Sequence, residues 1–201
     1  ASILRRKNLW TEVLLDAGYE VSEGHLDKAF STGWQFFDKR WRENTQTRLQ
    51  EVVSEAIKEL PFEIAPSLYS TLEDAYLEAS RMTPRSLLPE VEQTLTRLKE
   101  KKILIGVICD VGTIPSSLLE KWLMDLGVHA AFDFFGFSDR INVYKPHPQI
   151  FKKTLEALKV QDPSTAAHIG DLKRTDVAGA RTVGMKTVRY IGSRIDEEEG
   201  E

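Results

Sequence analysis

One cysteine, Cys109, is the only thiol in the 201-residue chain. No disulfide can form within it, and a reducing compartment is the simpler setting, so a cytoplasmic protein is expected. No apolar run approaches the length that spans a bilayer, and the opening ASILRRKNLW lacks the charged, then apolar, then small-residue layout of a secretory signal. No membrane partner is expected. There is no basic excess either: 27 Lys and Arg against 31 Asp and Glu give a net charge of -4. Such a balance argues against a broad nucleic-acid surface, because little is available to displace counterions from phosphates. It leaves a small anionic substrate open. Internal repeats and low-complexity segments are also lacking.

What remains is globular. A hydrophobic content of 41% suffices for an ordinary core, and the length allows one medium α/β domain with an inserted module, or two small domains. Residues 1–83 read as a helical domain of four amphipathic segments. The first carries Leu4, Trp10, Val13 and Leu14 at helical spacing and stops at Gly18. Ser22 can cap the second, which carries Leu26, Phe30, Trp34, Phe37 and Trp41. A third runs over about 45–60 and ends before Pro61, and a fourth over about 67–82 before Pro84. Short connections between them predict a small bundle. The basic residues Arg5, Arg6 and Lys7, and Lys39, Arg40 and Arg42, could face an anionic ligand but are read as solvent-facing, the usual place for them on a helix.

From residue 84 to 192 helices alternate with short apolar runs, which predicts a parallel sheet with right-handed crossovers. Helices are expected over about 91–101, 116–126 and 148–158. Strands are expected at 103–109, at FFGFSD ending on Ser138, at 166–169 and at 185–191. The closing stretch 193–201, with its run DEEEGE, reads as a solvated acidic tail.

The stretch AAHIGDLKRTDVAGAR, residues 166–181, is the one the others point to. A strand reaching Ile169 is followed by Gly170, which allows a sharp exit, and then by Asp171 and Asp176. Two carboxylates at a strand's C-terminal end suit a hard divalent cation, since in an open α/β sheet ligands lie beyond the carboxyl ends of the strands. An N-capping Asp beside a solvated one fits the spacing as well. The turns after Cys109, Ser138 and Gly170 can open on one edge. They would bring together Cys109 and Asp110, Lys145, and Asp171 with Asp176. Lys145 offers a compact cation for phosphate oxygens, and the backbone N–H groups of Val111 and Gly112 are candidate oxyanion donors.

SDRINVYKPHPQIF and HIGDLKRTDVAGARTVGMKTV resemble the third and fourth motifs of the haloacid dehalogenase (HAD) superfamily, in the subgroup with a helical C1-type cap. The resemblance covers nearly the whole chain. It implies an α/β fold in which a parallel-sheet Rossmannoid core, residues 84–192, carries a four-helix cap, residues 1–83. It implies Lys145 as the lysine that stabilises the nucleophile and phosphoryl group, Asp171 as a Mg2+ ligand, and Asp176 as the acid supporting the metal or its waters. Phosphate would be held by Cys109, Asp110, Val111, Gly112 and Lys145, and the activity expected is that of a Mg2+-dependent phosphatase of a small phosphorylated metabolite acting through an aspartyl-phosphate. A dehalogenase would need no metal, and the paired acids argue against it.

Two departures stand beside the matches. The family's second motif usually supplies Ser or Thr where this chain has Cys109, and Asp110 follows where Asn is common; a thiol is a weaker donor, and an added carboxylate repels phosphate unless it turns away. Cys109 as a nucleophile is the alternative to a buried strand-end thiol. The family's first motif, an apolar strand ending in Asp-x-Asp, is not found before the helical segments. LLDAG at residues 14–18 holds one acid inside a helix pattern and cannot replace it. By resemblance the absent strand lies between the strands at 103–109 and 166–169, so their edges would be left unpaired or forced together. Three explanations are open: an incomplete chain, a core that closes without the strand, or a strand supplied by a partner, as in a homodimer with exchanged elements. A non-catalytic binding or assembly protein, truncated or degenerate, is therefore the second expectation.

Overall fold

The computed structural model describes residues 2–192; the acidic tail expected at 193–201 lies outside the described residues. Contacts divide the chain into two units. One comprises residues 2–43, 47–86 and 112–122, and the other 44–46, 87–111 and 123–192.

In the first unit the four expected helices form as α1 (Ser2–Asp16), α2 (Glu23–Arg42), α3 (Leu49–Ile57) and α4 (Tyr69–Arg81). Gly18 takes φ 84° after α1, where only glycine turns freely. Ser22 caps α2, its hydroxyl accepting from the His25 N–H at 3.3 Å. The third helix stops short of its apolar pattern, with Leu60 buried beyond its end, and the fourth begins only after a 3-10 turn at Pro66–Leu68. Helix α1 packs on α4 and α2 on α3. Gly33 makes the second pairing tight: a Cβ there would lie 3.1 Å from the Val52 carbonyl oxygen.

Trp10, Leu14, Leu26, Phe30, Val53 and Leu72 form the centre of this core. The Trp10 indole packs at a tilt, 4.8 Å from the Phe30 ring, and donates its Nε1–H to the Leu72 carbonyl at 2.9 Å. Both groups are fully buried, so the bond ties α1 to α4 where water cannot replace it. Trp10→Phe keeps most of the apolar mass but removes the bond that ties the two helices. It is expected to cost about 1 kcal/mol in urea unfolding followed by far-UV circular dichroism; an unchanged midpoint would refute a structural role for the bond.

The second unit contains α5 (Val91–Glu100), β1 (Gly106–Cys109), β2 (Phe134–Phe137), α7 (Ser138–Ile141), α8 (Pro148–Ala157), β3 (Ala167–Gly170), α9 (Ala178–Thr182) and β4 (Lys186–Arg189). In chain order α6 (Ser116–Asp125) lies between β1 and β2. The strands are parallel as expected, but they do not form one sheet. β1 pairs β2 with Cys109 opposite Phe137, β3 pairs β4 with Ile169 opposite Val188, and no ladder joins the two pairs among the described residues. No described strand bridges β1 and β3, which leaves one edge of each open.

Helix α8 links the two pairs instead. Its Ile150 and Phe151 bury against Ile141 and Ala180, with Ile108 of β1 packed alongside, and the Phe151 ring meets His168 of β3 edge-on at 5.3 Å. On β3 the period of two is plain: His168 is 9% exposed and Ile169 is 64% exposed. One face is covered by α8, while the other carries Ile169 and Val188 bare.

β1 starts later than the apolar run at 103–109 predicts. Lys102 adopts φ 58°, and the Ile103 N–H returns to the Leu98 carbonyl at 3.0 Å, so residues 102 and 103 finish the helix rather than begin the strand. Ile103 and Leu104 are exposed as a result. Among the described residues no helix is long and apolar enough to cross a membrane.

Candidate phosphate site at the strand ends

Lys145 follows α7, beyond the C-terminal end of β2, in a loop anchored by its neighbours. The Tyr144 ring is fully buried, and the Tyr144 N–H donates to Asn44 Oδ1 at 2.8 Å. The Lys145 N–H donates to Asp110 Oδ1 at 2.9 Å, and its ammonium reaches Asp176 Oδ1 at 2.6 Å. Only 12% of the lysine side chain and 3% of the aspartate side chain are exposed. Burial alone would lower the lysine pKa, but the charges of Asp110 and Asp176 and the ammonium's hydrogen bond to Asp176 outweigh it, and the ammonium is held above its usual value.

Asp176 sits on a π-helical turn, Lys173–Val177, in which the Val177 N–H reaches the Leu172 carbonyl at 3.2 Å. Such turns often mark functional positions. The turn swings the carboxylate back over Gly170, where a Cβ would lie 2.3 Å from Asp176 Cγ. Glycine is therefore needed for this close approach, in addition to the turn. Besides Lys145, Oδ1 has His168 Nε2 at 2.9 Å, and Oδ2 accepts from the Leu172 N–H at 3.0 Å. Burial pushes the Asp176 pKa up, yet His168, Lys145 and Leu172 together bring it well below the usual carboxylate range.

The structure thus brings Lys145, Asp110 and Asp176 together, with Cys109 close enough to act on the lysine charge. Cys109 is a half-buried thiol at the end of β1. Burial raises its pKa, Lys145 opposes the rise, and Asp110 and Asp176 add to it, so it stays protonated and is not an activated nucleophile. Its Sγ donates to the Asp110 carbonyl at 3.5 Å.

The expectation for Val111 is corrected. Its N–H donates to Ser138 Oγ at 2.7 Å instead of pointing to an oxyanion, because Ser138 is fully buried and its hydroxyl needs partners inside the fold. Gly112 belongs to the helical unit and lies under the Phe37 ring, 2.6 Å from where a Cβ would stand. Asp171 is half-buried on the loop after β3, and its backbone carbonyl accepts from Arg189 Nε at 3.4 Å. Among the described residues no three His, Cys, Asp or Glu side chains converge as a metal cage.

Sequence reasoning missed His168, Asn44 and Ser138. The signal for His168 was present: strand alternation puts it on the same face as Gly170, the residue over which Asp176 folds. Asn44 and Ser138 had no such signal, since their roles depend on loops meeting far from one another in sequence.

A buried ammonium paired with Asp176, its own backbone N–H on Asp110, thus stands at the ends of parallel strands, where ligands lie in open α/β sheets. Residues 9–184 match the haloacid dehalogenase-like hydrolase family, and the chain belongs to it, with the HAD-like Rossmannoid fold. It is 40% identical over 103 residues to a glyceraldehyde 3-phosphate phosphatase of Pyrococcus furiosus, covering 51% of this chain and 41% of that protein. Over 120 residues it is 32% identical to human haloacid dehalogenase-like hydrolase domain-containing protein 3, covering 60% of this chain and 46% of that one. The chain thus spans less than half the length of these curated relatives. The crystal structure of a HAD phosphatase from Thermococcus onnurineus superposes with TM-score 0.64 at 21% identity, over 96% of this chain and 82% of that one.

Proposed function

We propose that this chain carries the phosphate-binding residues of a Mg2+-dependent phosphatase acting on a small phosphorylated metabolite in the cytoplasm. The buried Lys145 ammonium, held by Asp176 and anchored through Asp110, is the observation that most supports this reading. An ammonium has three donors, and one is spent on Asp176. The others can take phosphoryl oxygens, and hydrogen bonds to them are stronger in such a buried setting than in water. Asp176 then acts as a positioning residue that fixes the ammonium, and Cys109 as a neutral wall beside it.

The donor chemistry fits Mg2+ in a particular way. Asp171 supplies a hard carboxylate on the loop after β3, and Asp176, whose two oxygens accept from Lys145 and the Leu172 N–H, stands five residues further on. Asp171 would be the direct ligand, with water and substrate phosphate completing the shell, a common arrangement for this ion. When bound, Mg2+ would neutralise and orient phosphoryl oxygens. Millimolar Mg2+ is expected to raise the melting temperature, and Asp171→Asn to abolish the rise; a melt indifferent to Mg2+ in the unaltered chain would contradict the metal site.

The family's chemistry runs through an aspartate nucleophile, and these 201 residues contain no match to its Asp-x-Asp motif. The open edges of β1 and β3 support a second reading, a non-catalytic binding or assembly protein, with a homodimer as one way to cover those edges. Phosphate release from a panel of small esters, including glyceraldehyde 3-phosphate, separates the two. Turnover that requires both Mg2+ and Asp171 supports a phosphatase. Ester binding without turnover by a folded sample supports the binding protein.

A further inference from the structure

The helical unit encloses a cavity of about 300 Å³. Trp10, Phe30, Val52 and Val53 form buried walls, and the exposed Ile3 and Trp34 line its open side. One charged group enters this apolar lining: Arg6, from α1. Its guanidinium lies 3.9 Å from the centre of the Tyr76 ring, and Nη2 donates to Ser80 Oγ at 3.0 Å. Its Nε is buried and makes no hydrogen bond, and no carboxylate pairs with it among the described residues. The arginine that the helical pattern assigned to solvent therefore lines apolar space with no carboxylate partner among the described residues.

A guanidinium that lines an apolar cavity without a carboxylate partner gains from an anionic acceptor bound there. The guanidinium fork matches a planar carboxylate. The cavity is at the small end of the sizes that hold organic ligands, and its walls suit a ring or a short alkyl chain. A phosphate dianion would leave a net negative charge in this lining, whereas a monoanion is balanced by the one cation present. Water could satisfy Nε, but it needs several polar partners and would not fill an apolar space.

We propose that this cavity binds a small organic carboxylate with an apolar body, its carboxylate on Arg6 and its ring or chain between Trp10, Phe30 and Val53. The site lies within the helical unit, and the proposal does not rest on the phosphatase reading.

Benzoate, with benzyl alcohol as its neutral counterpart, tests this on the full 201-residue chain by tryptophan fluorescence and calorimetry. Benzoate is expected to bind saturably and at least about tenfold more tightly than benzyl alcohol, as expected of a charge-assisted hydrogen bond. Arg6→Met is expected to remove that preference while leaving benzyl alcohol binding unchanged. Equal binding of the two ligands, or a preference that survives Arg6→Met, would overturn the proposal. In the unaltered protein, NOEs from the benzoate ring to the Trp10 and Trp34 indoles are expected, which keeps the test independent of how the variant folds. Their absence at saturating benzoate would overturn it equally.

Discussion

Replacing Lys145 with methionine is expected to destabilise the α/β unit by about 3–5 kcal/mol, because it leaves buried carboxylate without its counter-charge. Asp176 has 3% of its side chain exposed and cannot recover hydration where it stands. The companion change Asp176→Leu strands the lysine in the same way and is expected to be similarly costly. If the pair is the unit of stability, the double variant should be less destabilised than the two single losses summed, by about 1–3 kcal/mol. Additivity within experimental error would mean that the two residues act separately.

The same pair sets a pH dependence with two limbs. The Asp176 pKa is depressed in the folded state, so its contribution is complete above the unfolded value of about 4 and is lost as pH falls below it. The Lys145 pKa is raised, so its contribution is complete below about 10.4 and is lost as pH rises through the folded value. Stability from this pair should form a plateau between those limits. Lys145→Met should flatten the acid limb, since Asp176 then loses one cause of its depression.

Gly170→Ala is expected to be nearly as damaging, at about 3 kcal/mol. The added Cβ would lie 2.3 Å from Asp176 Cγ and 2.5 Å from its Cβ. These are not the loose end of a flexible chain, because Lys145, His168 and the Leu172 N–H hold the carboxylate from three sides. Either Asp176 leaves Lys145 or β3 bends. The variant should therefore copy the altered acid limb of Lys145→Met, and combining the two should cost less than their sum. Gly24→Ala is the matched control: a Cβ there meets only Ser22 Oγ, at 4.0 Å, and the helix should gain about 0.5–1 kcal/mol. A Gly170→Ala protein as stable as the original would mean that Asp176 is free to move.

Where local pattern decides the outcome, the sequence was readable. Aromatic and aliphatic spacing placed α1 to α4, turn residues placed their ends, and the order of strand, glycine and aspartate put Asp176 within reach of Lys145. The misreadings share one physical cause, that a residue's partner was supplied by a distant segment. Arg6 was assigned to solvent because helical periodicity does not reveal that Tyr76 and Ser80 of α4 cover it. The Val111 N–H was assigned to an anion because nothing local shows that Ser138 takes it. The gap between the strand pairs is not one of these misreadings: the absent first motif implied unpaired edges at 103–109 and 166–169, and β1 and β3 stay apart without a described strand between them. Lys102 is a different case, since a left-handed lysine carries no compositional signal.

The most direct test of the phosphate site watches Lys145 itself. With Mg2+ present, glyceraldehyde 3-phosphate is titrated into the unaltered protein while the assigned carbon and proton resonances next to the Lys145 ammonium are followed. A saturable shift of these resonances, weakened when Mg2+ is chelated, is the predicted result. Lys145 resonances that stay fixed while the ester binds elsewhere, or a folded protein that takes up no ester, would contradict the account.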